Sequence, residues 1–247
     1  MNIQRAFILA AGLGLRMRPL TLYTPKPLLL VNKKPLIEYH LEKLAKAGIS
    51  EVVINVSYLA EQIQKKLGDG DRWGLRIHYS VEPEPFETAG GIAHAKAYLK
   101  GEPFLCVNGD VYIDYPFEQL LERYRQLPAD LLAYLVMVQN PAHHLEGDFS
   151  LVDTVSVDAH CSVDEKQQTV KKVVMKEAGH PCVTFSGLSI LHPSLFERLD
   201  QTAGKLAPLL IDAMKKDKVL GELYHGHWCD VGTIERLQSL DAVLRGP

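Results

Sequence analysis

Arg16, Arg18 and Lys26 follow closely on two glycines, Gly12 and Gly14, in the stretch LAAGLGLRMRPLTLYTPKPLLLV at positions 9–31. No acid interrupts them. Residues 1–37 hold six Lys or Arg (Arg5, Arg16, Arg18, Lys26, Lys33, Lys34) and no Asp or Glu, although the chain carries a net charge of −3. Positive charge concentrated beside a glycine turn suits a small polyanion. Ala10, Ala11, Gly12 and Gly14 are small enough for a phosphate to approach the main chain, whose N–H groups can form an anion nest. A guanidinium at Arg16 grips phosphate oxygens in a bidentate way that an ammonium does not. Pro25 and Pro27 stiffen the backbone on both sides of Lys26, which fits a held lysine better than a solvated one. A plain glycine turn is the competing reading. Two further readings fail on spacing: Met17 stands where a dinucleotide fingerprint needs its third glycine, and neither GxxxxGKS nor GxxxxGKT occurs.

Such residues need a frame. AFILA (6–10) reads as a brief buried strand ended by Gly12. A helix follows from Pro35, its inward stripe carried by Ile37, His40, Leu41, Leu44 and Ala45 and its end marked by Gly48. EVVINV (51–56) predicts a strand, YLAEQIQKKLG a helix, LRIHYS (75–80) a strand, a helix covers about 89–99, and PFLCVNGDV (103–111) predicts another strand. This alternation implies βαβ units and a mostly parallel sheet covered on both faces. Ligands of such sheets bind at the carboxyl edge, where the glycine turn would lie. In the second half, 131–138, 170–175 and 182–191 read as strands; HPSLFERL, KLAPLLIDAMKKDK and TIERLQSLDAVL read as helices. The polar segment 153–168 reads as a surface excursion. No repeat or linker divides the chain, so residues 1–247 are expected to form one domain.

The totals exclude several classes. At 47% hydrophobic and 23% charged, the composition is that of an ordinary soluble protein. A slightly acidic balance argues against a general nucleic-acid binder. No apolar stretch reaches the length of a membrane span. Arg5 followed by AFILAAGLGL imitates a signal peptide, but the apolar run is short, contains two glycines and is followed at once by arginines. Cys106, Cys161, Cys182 and Cys229 form no CxxC pair and read as free thiols in a reducing compartment, which predicts the cytoplasm.

Three motifs in order carry a resemblance. LAAGLGLRMRPLTLYTPKPLLLV looks like the G-x-G-x-R and P-K-P signature of the sugar-1-phosphate nucleotidyltransferases, and VNGDV (107–111) and HWCDVGT (227–233) are similar to that family's two later metal-binding segments. The resemblance covers nearly the whole chain. It implies a Rossmann-like three-layer α/β sandwich of the nucleotide-diphospho-sugar transferase type. It also implies transfer of a nucleotidyl group from a nucleoside triphosphate to a sugar-1-phosphate with release of pyrophosphate. Arg16 and Lys26 would be catalytic, with Arg16 on the leaving pyrophosphate and Lys26 between the α-phosphate and the sugar phosphate. Ala11, Gly12, Gly14 and Leu15 would join them around the triphosphate, and Pro83 to Gly91 would line the base. Asp110 and Asp230 would hold Mg²⁺, a hard cation that shares oxygen ligands with substrate. A rival zinc site at His225, His227 and Cys229 is disfavoured, because alternate residues of one strand rarely converge on one tetrahedral ion. His143 and His144 read as a loop pair.

Within the family the chain is similar to the subgroup that acts on N-acetylmuramate-1-phosphate with UTP, through EPFETAGGI (84–92), NPAHHLEGDFSLV (140–152), TFSGLSILHP and KLAPLL. Glu87 occupies a position that is usually glycine in the wider family, and Asn108 and Asp148 suit contacts with sugar hydroxyl or amide groups. The family's Glu-Lys-Pro segment is replaced here by MKEAG (175–179), which leaves Lys176 and Glu177 open as sugar contacts. The short ending after HWCDVGT predicts a catalysis-only protein without a C-terminal β-helix, compatible with a monomer. Guanylyl transfer to mannose-1-phosphate, thymidylyl transfer to glucose-1-phosphate, or a non-catalytic sugar-nucleotide sensor on the same fold are the alternatives.

Overall fold

The structure, a computed structural model, describes residues 3–153, 169–176, 180–199 and 204–246. The excursion after Asp153, Cys161 and Glu177 therefore lie outside the described residues. The strands are β1 (Arg5–Leu9), β2 (Leu30–Val31), β3 (Lys34–Pro35), β4 (Glu51–Val56), β5 (Arg76–Val81), β6 (Phe104–Asn108), β7 (Val111–Ile113), β8 (Ala133–Val138), β9 (Phe149–Val152), β10 (Lys171–Val174), β11 (Cys182–Leu191), β12 (Val219–Tyr224) and β13 (Trp228–Asp230). The helices are α1 (Leu36–Lys46), α2 (Ala60–Leu67), α3 (Glu87–His94), α4 (Lys96–Leu99), α5 (Phe117–Arg125), α6 (Leu206–Met214) and α7 (Ile234–Arg245).

The main sheet runs β5-β4-β1-β6-β11-β8-β12-β10-β9. Its first four strands are parallel, as continuous apolar runs joined by helices require. Only β10 and β11 run against the other seven, so the sheet is mixed but mostly parallel, as expected. At the far end β9 pairs with β10 and also returns to β11, through Cys182↔Ser150 and Val183↔Phe149. Two apolar layers cover the sheet. One packs Ile37, Leu41, Ile63, Phe117 and Leu120 against one face; the other packs Ile92, Leu99, Leu206 and Leu210 against the opposite face.

Several expectations shift. The predicted 89–99 helix breaks at Ala95 into α3 and α4, and HPSLFERL forms only a 3-10 turn at Pro193–Phe196. Helix α5 and strands β2, β3, β7, β9, β12 and β13 add to the elements expected from the sequence. A third apolar cluster does the positioning: Met17, Leu29, Val31 and Leu36 pack with Val231, Leu237 and Leu240 of the C-terminal segment. Met17, the residue that spoils the dinucleotide fingerprint, is buried at 1% exposure. Burying a side chain of this size contributes about 1.5–3 kcal/mol, enough to anchor the glycine turn to α7.

Candidate active site

The carboxyl ends of β1 and β6 open on a pocket of about 220 Å³ lined by Ala10, Ala11, Gly12, Lys26, Asn108 and Asp110, among others. A second pocket of about 680 Å³ lies against β6, β11 and α6 and includes Asp148, Phe185 and Lys205. Leu9, Glu87, Thr88 and Asn108 line both, so the two are lobes of one cleft.

The smaller lobe is built by the opening stretch. Gly14 adopts φ +62°, where a Cβ would come 2.9 Å from Thr21 Cγ2, while Thr21 Oγ1 donates to the Gly14 carbonyl at 2.8 Å. Only glycine fits this left-handed corner without strain. Leu15 then begins a single 3-10 turn and is 55% exposed. Lys26 is 8% exposed, held between its prolines, and its Nζ donates to Asp110 Oδ2 at 2.5 Å.

Asp110 and Asp230 are brought together by the β7–β13 ribbon. Asp230 pairs with Val111, and the Val231 N–H donates to the Asp110 carbonyl at 3.0 Å. One guanidinium group pairs with Asp230 and a second, that of Arg16, lies nearby. Arg236 Nη1 donates to its Oδ2 at 2.8 Å, and a Cβ on Gly232 would lie 3.0 Å from both Asp230 Oδ1 and Arg16 Nη2. His143 adds a ring nitrogen 3.6 Å from Asp230 Oδ2 and accepts from Arg236 at 2.5 Å, while His144 reaches Asp148 Oδ1 at 3.1 Å. The two histidines thus belong to one loop but serve opposite ends of the cleft.

Two neighbouring carboxylates beside the glycine turn are a donor set that suits Mg²⁺, which ordinarily keeps waters and substrate phosphate oxygens as its other ligands. Among the described residues no group of three His, Cys, Asp or Glu could hold a metal ion by itself. His227 packs its ring against Tyr112, tilted by 56° at 5.4 Å between ring centroids.

The ribbon is itself held from below by α1. His40 Nε2 lies 2.9 Å from the Val111 carbonyl, and Lys43 Nζ donates to the carbonyls of Ile113 and Tyr115. Burial above all, then the nearby Lys43 charge, lowers the His40 pKa to about 4 from 6.5. The unfolded chain then binds a proton that the folded chain refuses between those values, so stability falls as pH drops from about 6.5 to about 4. His40→Gln keeps a donor but does not titrate. Its Tm–pH curve should be flatter across that window; a slope equal to that of the wild type would rule out this imidazole as the source.

Other expected residues separate. Asn108 lines both lobes and is pressed from behind by Gly187, whose φ is +83° and whose added Cβ would meet Asn108 Nδ2 at 2.7 Å. Gly187 occupies the register shift of β11 between Phe185 and Ser189. Asp148 lines the larger lobe while its Oδ2 accepts the Phe185 N–H at 2.8 Å. Glu87 is exposed at the start of α3 with φ +58°, a conformation natural to glycine and costly for an acid. Pro83 is exposed and lines neither lobe; Pro85 does. Gly91 is buried, and a Cβ there would meet Glu82 Oε1 at 2.6 Å and Asn55 Nδ2 at 2.7 Å. It supports the cleft from behind.

Asn55 is the residue that sequence reasoning missed. Its Oδ1 accepts the Ala10 N–H at 2.8 Å, its Nδ2 donates to Glu82 Oε1 at 2.8 Å, and Glu82 Oε2 accepts the Phe86 N–H at 2.9 Å. This buried relay ties the phosphate turn to the segment bearing Glu87. A polar residue near the carboxyl end of the apolar run EVVINV was the signal available for it.

A glycine turn, the nearby Arg16, a buried Lys26, two aspartates on one ribbon and a two-lobed cleft thus meet at the carboxyl edge of the sheet. The chain belongs to the sugar-1-phosphate nucleotidyltransferases, matching the Nucleotidyl transferase family over residues 5–244. It is 44% identical over 241 residues to an N-acetylmuramate alpha-1-phosphate uridylyltransferase of Neisseria meningitidis serogroup B, with 97% of each chain covered. A mannose-1-phosphate guanylyltransferase catalytic subunit beta of Drosophila pseudoobscura pseudoobscura is 33% identical over 94% of this chain, which spans 60% of that relative's length. Among solved structures, one from Bacillus anthracis assigned as a glucose-1-phosphate thymidylyltransferase, in complex with a sucrose, superposes with a TM-score of 0.81. It is 18% identical, with 98% and 96% of the two chains covered, and shares the fold.

Proposed function

We propose that the protein transfers a uridylyl group from UTP to N-acetylmuramate-1-phosphate, giving UDP-N-acetylmuramate and pyrophosphate. The observation that carries this reading is its end-to-end likeness, 44% identical, to the Neisseria uridylyltransferase. The two-lobed cleft supports it: the smaller lobe offers amides and cations for a triphosphate, and the larger one has room for an acetylated sugar.

A phosphate oxygen of the sugar attacks the α-phosphorus in line; the new P–O bond forms as the bond to the β-phosphate oxygen breaks. Both reactants are anionic, so the protein's work is alignment and charge neutralisation. Amides of Ala11, Gly12, Gly14 and Leu15 hold the triphosphate. Lys26, held in the smaller lobe beside Asp110, stabilises charge on the α-phosphate and the incoming sugar phosphate. Arg16 neutralises the departing pyrophosphate. Glu87, Asn108 and Asp148 contact the sugar, and Pro85 with Thr88 takes the base-lining role expected of Pro83 and Gly91. Asp110 and Asp230 would hold Mg²⁺, which when bound would supply Lewis-acid stabilisation of phosphate charge.

Residues 1–247 act as one domain, in the cytoplasm, in cell-wall recycling. No helix among the described residues is long and apolar enough to cross a membrane. The test is pyrophosphate release from purified protein with Mg²⁺, offering UTP, GTP or dTTP against N-acetylmuramate-1-phosphate, mannose-1-phosphate or glucose-1-phosphate. UTP with the muramate phosphate should give the highest kcat/KM. Preference for either other pairing overturns the specificity, and turnover with none favours a sensor.

A further inference from the structure

N-acetylmuramate differs from N-acetylglucosamine by a lactyl ether, and that ether ends in a carboxylate. A selective site must meet this negative charge, and the larger lobe has one place made for it. Helix α6 begins there. Its N-cap residue, Lys205, makes no side-chain capping bond, its third residue is Pro208, and its first two residues, Leu206 and Ala207, both line the lobe. The N-terminal amides of a helix lack intrahelical acceptors and carry partial positive charge. Lys205 is exposed on the same lobe and has no carboxylate partner among the described residues. The lobe also holds an unanswered polar group: Ser189, 0% exposed, is one of its lining residues, and its hydroxyl has no hydrogen-bond partner among the described residues.

The position of Lys205 relative to the rest of the cleft is fixed. The Gly204 carbonyl accepts the Ala89 N–H at 2.8 Å and the Gly90 N–H at 3.2 Å, and the Gly204 N–H donates to the Phe86 carbonyl at 3.1 Å. The start of α6 is thereby clamped to the start of α3, which carries Glu87. Acid and base occupy the two clamped ends without pairing with each other. Asp148, the other carboxylate of the lobe, is occupied by His144 and the Phe185 amide.

Resting on the uridylyltransferase reading, we infer that Lys205, with the amides at the start of α6, binds the lactyl carboxylate and so selects N-acetylmuramate-1-phosphate over sugar phosphates that lack it. Lys205 is then a specificity-determining residue. The Ser189 hydroxyl supplies a further polar contact deeper in the same lobe.

The experiment compares N-acetylmuramate-1-phosphate with N-acetylglucosamine-1-phosphate, the second as substrate or, if bound without turnover, as competitive inhibitor. Wild type, Lys205→Met, Lys205→Arg and Lys176→Met are measured side by side. Losing one charge-assisted contact should lower the selectivity ratio of Lys205→Met by about 10- to 100-fold, mainly through KM. Lys205→Arg should recover most of it. An unchanged ratio in Lys205→Met, or a fall confined to Lys176→Met, overturns the assignment while leaving the parent reading intact. Wild-type protein that does not use N-acetylmuramate-1-phosphate overturns the parent reading, and this inference with it.

Discussion

Asp110→Asn should lose about 10³-fold or more in kcat while still melting in one cooperative transition. The substitution keeps the side-chain volume at the mouth of the smaller lobe and removes one negative charge. Several kcal/mol of transition-state charge stabilisation depend on a bound divalent cation, and each 1.36 kcal/mol is tenfold in rate. The variant also leaves Lys26 Nζ without the carboxylate it contacts at 2.5 Å. Steady-state kinetics over a Mg²⁺ titration, paired with a thermal melt, separates the two consequences. If excess Mg²⁺ restores full turnover, Asp110 only concentrates the ion; if turnover never changed, the carboxylate pair is not the metal site.

Glu222→Ala should be among the most destabilising single changes away from the cleft. Glu222, 0% exposed on β12, accepts from the Tyr115 hydroxyl and pairs with Arg123 of α5. Glu222→Ala takes the carboxylate from Arg123 and the acceptor from the Tyr115 hydroxyl, and loss of one member of a buried ion pair typically costs about 3–5 kcal/mol. Arg123 is 19% exposed, which favours the lower part of that range. For a chain of this size the fall in Tm would be roughly 6–20 °C. A melt of Glu222→Ala beside Glu222→Gln, which can still bond to Tyr115, checks it; equal and small losses would show that the pair contributes little.

That same pair explains why part of the fold was hidden. In KVLGELYHGHW an acid and a glycine interrupt the apolar run, and β12 is not visible until Arg123 and Tyr115 are known to lie opposite. Gly221 has a comparable reason: a Cβ there would come 2.5 Å from the Leu135 carbonyl of the parallel neighbour. The parallel half, by contrast, was legible because β1, β4 and β6 are continuous apolar runs between helices with clear glycine ends. The phosphate turn was legible for another reason, since glycine, arginine and a lysine between prolines declare their chemistry by type. What faces the sugar was less so. Asn108, Glu87 and Asp148 could be named from resemblance, but the Asn55–Glu82 relay and the clamp at Gly204 depend on distant segments meeting. The β7–β13 ribbon, which makes neighbours of Asp110 and Asp230, is likewise a product of topology.

The return of β9 to β11 has a consequence beyond the cleft. An unpaired border strand is a template on which other chains can grow. Here the antiparallel end of the main sheet curls round and seals itself, leaving β5 as its one open border among the described residues. That border carries Arg76 and His78, the latter stacked on Tyr98 and 3.6 Å from Glu51. Charge and an aromatic cover thus guard the one flank from which the sheet could be extended into an aggregate.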